Sequence, residues 1–160
     1  MNSPIRNLLI GVLWVGLTVA VHGADVAIVV NPDNPVDELS FKDLRALLEL
    51  QQQFWKNGNR VSLVTLKAGL PEKELVLKKV YFRTEDALNR YWMNRMFKAE
   101  IATIPKARAS SDEVKQVVSR LPNGIGFIDA TTVDASVKVL RIEGRLPGEA
   151  GYILSATDET

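Results

Sequence analysis

Cysteine is absent from all 160 residues. That excludes a disulfide framework and a thiol nucleophile. Histidine occurs once, at His22, inside an amino-terminal stretch that reads as a leader. Once that leader is removed, no imidazole remains to act as a general base, a metal ligand or the middle member of a Ser-His-Asp arrangement. A cationic excess is also missing. Apart from Arg6, the first 23 residues carry no ionisable Lys, Arg, Asp or Glu, and the rest of the chain has 19 basic and 19 acidic side chains. Nucleic-acid binders draw their affinity from phosphate neutralisation, so no nucleic-acid partner is expected. Repeats, low-complexity tracts and long linkers are lacking too, which leaves one ordinary domain.

What is present begins with a compartment signal. Arg6 and the amino terminus are positive, Leu8 to Val21 is apolar apart from Gly11, Gly16 and Thr18, and Val21-His22-Gly23 offers tolerated residues for cleavage. This order is that of a secretory signal peptide. The apolar run is shorter than the roughly 20 residues that span a bilayer, although an uncleaved anchor is the alternative. Residues 1–23 are therefore read as a signal peptide cleaved near Gly23. Residues 24–160 are read as a single exported domain located in the periplasm or an equivalent compartment.

The exported part alternates strand and helix patterns. Asp25 to Asn31 (DVAIVVN) is a continuous apolar run that reads as a buried strand ending at Pro32. Ser40 caps a helix bearing Phe41, Leu44, Leu47 and Leu48 on one face. Arg60 to Leu66 (RVSLVTL) is a second strand, with Val61, Leu63 and Thr65 expected on its buried face. Pro71 opens a helix with Glu72 and Glu74 in its first turn, and Leu75, Val76, Val80 and Phe82 are expected on its buried side. Thr84 caps a further helix with Leu88, Trp92, Met96 and Ala99 repeating along it. Ser110 to Glu113 forms a capping box before Val114, Val117, Val118 and Leu121. Ile125 to Ile128 and Val137 to Ile142 read as two more strands. The expected fold is α/β, a mixed, partly parallel sheet flanked by helices.

The ordered motifs resemble those of the phosphate-type periplasmic solute-binding proteins. Asn31-Pro32-x-Asn34-Pro35-Val36, Leu39-Ser40-x-x-Asp43-Leu44 and Phe54-Trp55-x-x-Gly58 come first. Tyr91-Trp92, Phe97, Pro105 and Pro122-Asn123-Gly124-Ile125-Gly126-Phe127 follow, the last where the family typically reads Pro-Gly-Ala-Ile-Gly-Tyr. Gly144-x-x-Pro147 and Tyr152 to Ser155 resemble the closing segment. Full-length family members have two lobes in a chain about twice as long, so the resemblance is to one lobe of a type II periplasmic binding protein. It implies a non-catalytic component of phosphate or oxyanion ABC transport, with no cofactor and no metal. The partners it implies are phosphate or another small oxyanion and a membrane permease. A partner protein or a homodimer is the natural cover for apolar surface exposed by a missing lobe.

The chain departs from the family at the anion site itself. Larger members carry Arg followed by Ser-Gly-Thr at a helix amino terminus, where backbone N–H groups hold phosphate. Here the corresponding stretch is Lys67-Ala68-Gly69-Leu70-Pro71-Glu72. Pro71 has no N–H, and Glu72 and Glu74 place negative charge where an anion has to sit. Lys67 and Gly69 are the candidates there. Lys106, Arg108, Ser110 and Ser111 form a second candidate anion cradle, with a plain helix cap among surface charges as its competing explanation. The alternative function is an interaction module that retains the fold and has lost ligand binding. A carboxylate pair, Asp33 with Asp37 or Glu38, is the weakest reading, because solvation in a proline-rich loop accounts for those residues. Trp55 and Trp92 are expected in the core.

Overall fold

The computed structural model describes residues 24–157, and the expected signal peptide, residues 1–23, lies outside them. Five strands form one sheet in the order β4-β3-β5-β1-β6. They are β1 (Val26–Val30), β3 (Ser62–Leu66), β4 (Lys106–Arg108), β5 (Gly124–Asp129) and β6 (Lys138–Val139). β3 pairs in parallel with both β4 and β5, whereas β1 runs antiparallel to β5 and β6. Four strands thus point one way and β1 alone points the other. A two-residue parallel pair, β2 (Glu38–Leu39) with β7 (Arg141–Ile142), lies outside this sheet.

Every residue of β1 is buried, as its unbroken run of Val, Ala and Ile requires. The reason is cover on both faces. Val64 lines a groove with Val117 of α4 (Ser111–Arg120), while the neighbouring Thr65 is bonded by Lys73 of α2 (Pro71–Val76). Successive side chains of a strand point to opposite faces, so α4 and α2 cover opposite sides of the sheet. The same cover explains a difference from the alternation expected in β3. Val64 and Leu66 are buried as well as Val61 and Thr65, and Leu63 is only partly buried. Two-sided burial erases the period of two.

Three caps form where the sequence places them. Ser40 Oγ accepts from the Asp43 N–H at 3.1 Å at the start of α1 (Phe41–Leu48). Thr84 Oγ1 accepts from the Ala87 N–H at 3.2 Å at the start of α3 (Glu85–Phe97). Ser110 Oγ accepts from the Glu113 N–H at 3.2 Å. The reciprocal half of the last box is displaced by one residue, because Glu113 Oε2 takes the Ala109 N–H at 3.0 Å. At the other end of α4, Asn31 Nδ2 donates to the carbonyls of Val118 and Ser119 at 3.1 and 2.9 Å. The residue that follows β1 therefore also satisfies orphan acceptors at a helix end.

Elsewhere the local reading shifts. A π-helical turn, Leu77–Tyr81, follows α2 and advances the buried face, so Leu77 and Tyr81 are enclosed rather than Phe82. Leu75 is partly buried, and Phe82, with φ 51°, ends the helix exposed with its ring edge-on to Phe41. On α3 only Leu88 and Trp92 are buried, whereas Met96 is exposed and Ala99 lies beyond the helix. Val137 to Ile142 is not one strand. It divides into β6 and β7, and Leu140 between them donates its N–H to Ile28 O at 2.9 Å. β4 follows the expected break at Pro105 and carries no strand signal of its own. Both Trp55 and Trp92 are core residues, and Trp55 Nε1 donates to Asn123 O at 3.1 Å.

Candidate functional site

β3, β4 and β5 run in the same direction, so their carboxyl ends, Leu66, Arg108 and Asp129, fall at one edge of the sheet. That edge is where open α/β sheets place their ligands. Lys67 and Gly69 follow β3 there, and Ser110 and Ser111 follow β4. The two loops are joined by the backbone, with the Lys67 N–H donating to Arg108 O at 2.9 Å. The fold thus brings Lys67 and Gly69 of the first candidate cradle beside Ser110 and Ser111 of the second.

Their donors, however, are already engaged by the protein. The Gly69 N–H donates to Glu74 Oε1 at 3.0 Å. Leu70, the N-cap of α2, makes no side-chain cap, and Pro71 occupies the first turn. Ser111 Oγ accepts from the Asp129 N–H at 2.9 Å and lies 3.4 Å from Glu72 Oε1, to which it donates. Ser110 Oγ is used by the α4 cap. The α2 opening is therefore closed by its own carboxylates: Glu74 holds the amide that an oxyanion would need, and Glu72 holds the nearby hydroxyl. Lys67 is exposed beside them.

Behind the opening lies a residue that sequence reasoning missed. Lys73 is 3% exposed, donates to Thr65 Oγ1 at 3.1 Å and pairs with Glu85 Oε2 at 3.4 Å. Burial lowers its pKa, an effect opposed by Glu85 and then Glu74. The signal was available, because Lys73, Val76 and Val80 are spaced three and four apart on the face that packs inward. Lys73 tethers α2 to β3 and does not reach the exposed edge.

Lys106 and Arg108 separate from the two serines. Alternation along β4 sends both side chains to the α4 face, where they line a groove of about 300 Å³. Arg60, which sequence reasoning did not single out, lines the same groove. Nothing in the sequence signals it, since its position depends on pairing between segments some 40 residues apart.

Solved structures share this architecture. The fold is that of phosphate-type binding proteins. An ABC-type phosphate transport receptor from Vibrio cholerae superposes with TM-score 0.67 at 24% identity, covering 82% of this chain and 53% of that one. PstS from Borrelia burgdorferi gives 0.64 at 13% identity, with 82% and 54% covered. A candidate phosphate ABC transporter substrate-binding protein from Clostridium perfringens, solved with bound phosphate, gives 0.61 at 21% identity, with 76% and 46% covered. The chain thus spans about half the length of the structures it matches. No protein-family model and no curated protein matches it. Among the described residues no helix is long and apolar enough to cross a membrane, and no acidic or histidine cluster is arranged for a metal.

Proposed function

We propose that this is an exported, non-catalytic protein of the phosphate-type solute-binding fold that serves oxyanion uptake in the periplasm without gripping the ion alone. The likeness to phosphate-binding structures supports the transport setting. The carrying observation is the bond from the Gly69 N–H to Glu74 Oε1, which occupies the place where a bound oxyanion would accept. A carboxylate beside that amide disfavours a second anion by charge as well as by competition. Such a protein needs a partner, a membrane permease or another periplasmic subunit, to supply the missing donors. Isothermal titration with phosphate, sulfate and organic phosphates tests this. The isolated protein is expected to stay silent to millimolar concentration, and the complex with a co-purifying periplasmic or permease subunit to bind saturably. Silence of both would remove the transport role.

A second reading, an interaction module that keeps the fold and binds no solute, is favoured by one feature of α3. Met93, Met96 and Phe97 are spaced three and four apart and are all exposed, Phe97 at 77%. They form an apolar stripe on a helix surface. Light scattering and affinity purification from periplasm check it: a strict monomer with no partner counts against this reading.

A further inference from the structure

The groove on the α4 face differs in charge from the α2 opening. Its floor is apolar, built from Val64, Ile104, Val117 and Leu121, and its three charged lining residues are Arg60, Lys106 and Arg108. No Asp or Glu lines it. Among the described residues none of the three cations is in an ion pair, although Arg60 Nη2 donates to Gln53 Oε1 at 3.3 Å. Arg108 Nε is buried and has no hydrogen-bond acceptor among the described residues. A buried donor on a cation costs free energy unless something accepts from it, and nearly all such groups in folded proteins are satisfied.

We infer that this groove is a binding site for a small organic carboxylate with an apolar body. The carboxylate pairs with the Arg108 guanidinium and lies near Lys106 and Arg60, and the hydrocarbon part covers Ile104, Val117 and Leu121. Each element selects for that chemistry. An uncharged hydrocarbon leaves the guanidinium donor unsatisfied, and an inorganic oxyanion leaves the apolar floor wet. The volume is at the lower end of small-molecule sites, roughly 300–1,000 Å³, so the ligand is short. Charge-assisted bonds to a planar guanidinium are the strongest that a carboxylate makes with a side chain. The inference does not depend on the state of the α2 opening, which lies past the ends of the strands, whereas the groove lies between the β4 edge and α4.

Titration of the exported full-length chain with octanoate, followed by calorimetry and by amide chemical shifts, tests the inference. Saturable binding of one octanoate is expected, with shifts centred on Ile104, Arg108 and Leu121. Neutral octanamide is expected to bind about tenfold or more weakly, as is octanoate to Arg108→Gln. A second variant, Leu121→Glu, adds negative charge at an already exposed position and is expected to abolish octanoate binding while leaving the melting temperature near that of the parent. Overturning results are no saturation at millimolar octanoate, octanamide binding as tightly as octanoate, or shifts elsewhere in the molecule. Inorganic phosphate serves as the separate arm: its binding bears on the α2 opening and leaves the groove assignment standing or falling on octanoate alone.

Discussion

Gly69 and Glu74 form the hydrogen bond that defines the α2 opening: the glycine N–H donates to the carboxylate oxygen at 3.0 Å, five residues along the chain. Gly69 has φ +85°, a left-handed conformation that glycine adopts without strain, and it aims its amide into the first turn of α2. With Pro71 at the helix start, the helix supplies its own acceptor where the phosphate-binding resemblance expects an external one.

Relieving that closure should create affinity. In a variant carrying Leu70→Gly, Pro71→Thr, Glu72→Gln and Glu74→Ala, the Gly69 amide loses its internal acceptor, a backbone N–H is restored at residue 71, and two negative charges are removed. Calorimetry should show phosphate binding, at least about tenfold tighter than for the parent, and the affinity should weaken with added salt. Gly69 is kept because its φ is strained for any other residue.

Packing of α4 on β5 rests on Gly126. A Cβ there would lie 2.7 Å from Val114 Cγ1 and 3.1 Å from Val64 O, so Gly126→Ala has to displace a fully buried helix residue or the neighbouring strand. Overpacking of this kind costs about 1–3 kcal/mol. Urea unfolding of Gly126→Ala should give a lower midpoint with an unchanged slope.

The cap at Ser110 is structural. Ser110→Ala removes the acceptor for the Glu113 N–H and should cost about 1 kcal/mol, read by thermal unfolding. Octanoate and phosphate titrations should be unaltered, because Ser110 Oγ is committed to the helix.

Alkaline pH should unfold the protein through its buried phenols. Burial raises the pKa of Tyr81 and Tyr152 well above 10. Each OH donates to a backbone carbonyl, Tyr81 to Leu48 O at 3.1 Å and Tyr152 to Val26 O at 2.8 Å. The folded state therefore holds these protons more tightly than the unfolded state. Their contribution is fully present below pH 10 and is lost as pH rises beyond it. Lys73 acts with the opposite sign. Its pKa is lowered in the fold, so stability increases as pH rises through the interval below 10.5. Spectrophotometric titration at the phenolate band, run beside circular dichroism, should show the Tyr81 and Tyr152 ionisations only in step with unfolding.

The layer order of the fold was legible because it rests on local signals. Three of four helices are opened by Ser40, Thr84 and Ser110, whose oxygens cap them as expected, and the run VAIVV can be buried only in a strand covered on both faces. Features that depend on distant pairing were not legible. β4 is three residues long, and its partner lies some 40 positions upstream, so nothing in Lys106-Ala107-Arg108 marks it as a strand. The same remoteness hides the groove: as chain neighbours Lys106 and Arg108 group with Ser110 and Ser111, whereas strand alternation turns the two cations toward Arg60 and α4. The π-helical turn at Leu77–Tyr81 displaced the inward face by a fraction of a turn, which a fixed helical period does not anticipate.

The chain's own carboxylates occupy the α2 opening. A crystal structure of residues 24–160 grown in concentrated phosphate is the direct test. The Gly69 N–H should remain bonded to Glu74, with no phosphate between Lys67 and Glu72. A phosphate accepting from the Gly69 N–H, with Glu74 swung away, would contradict it.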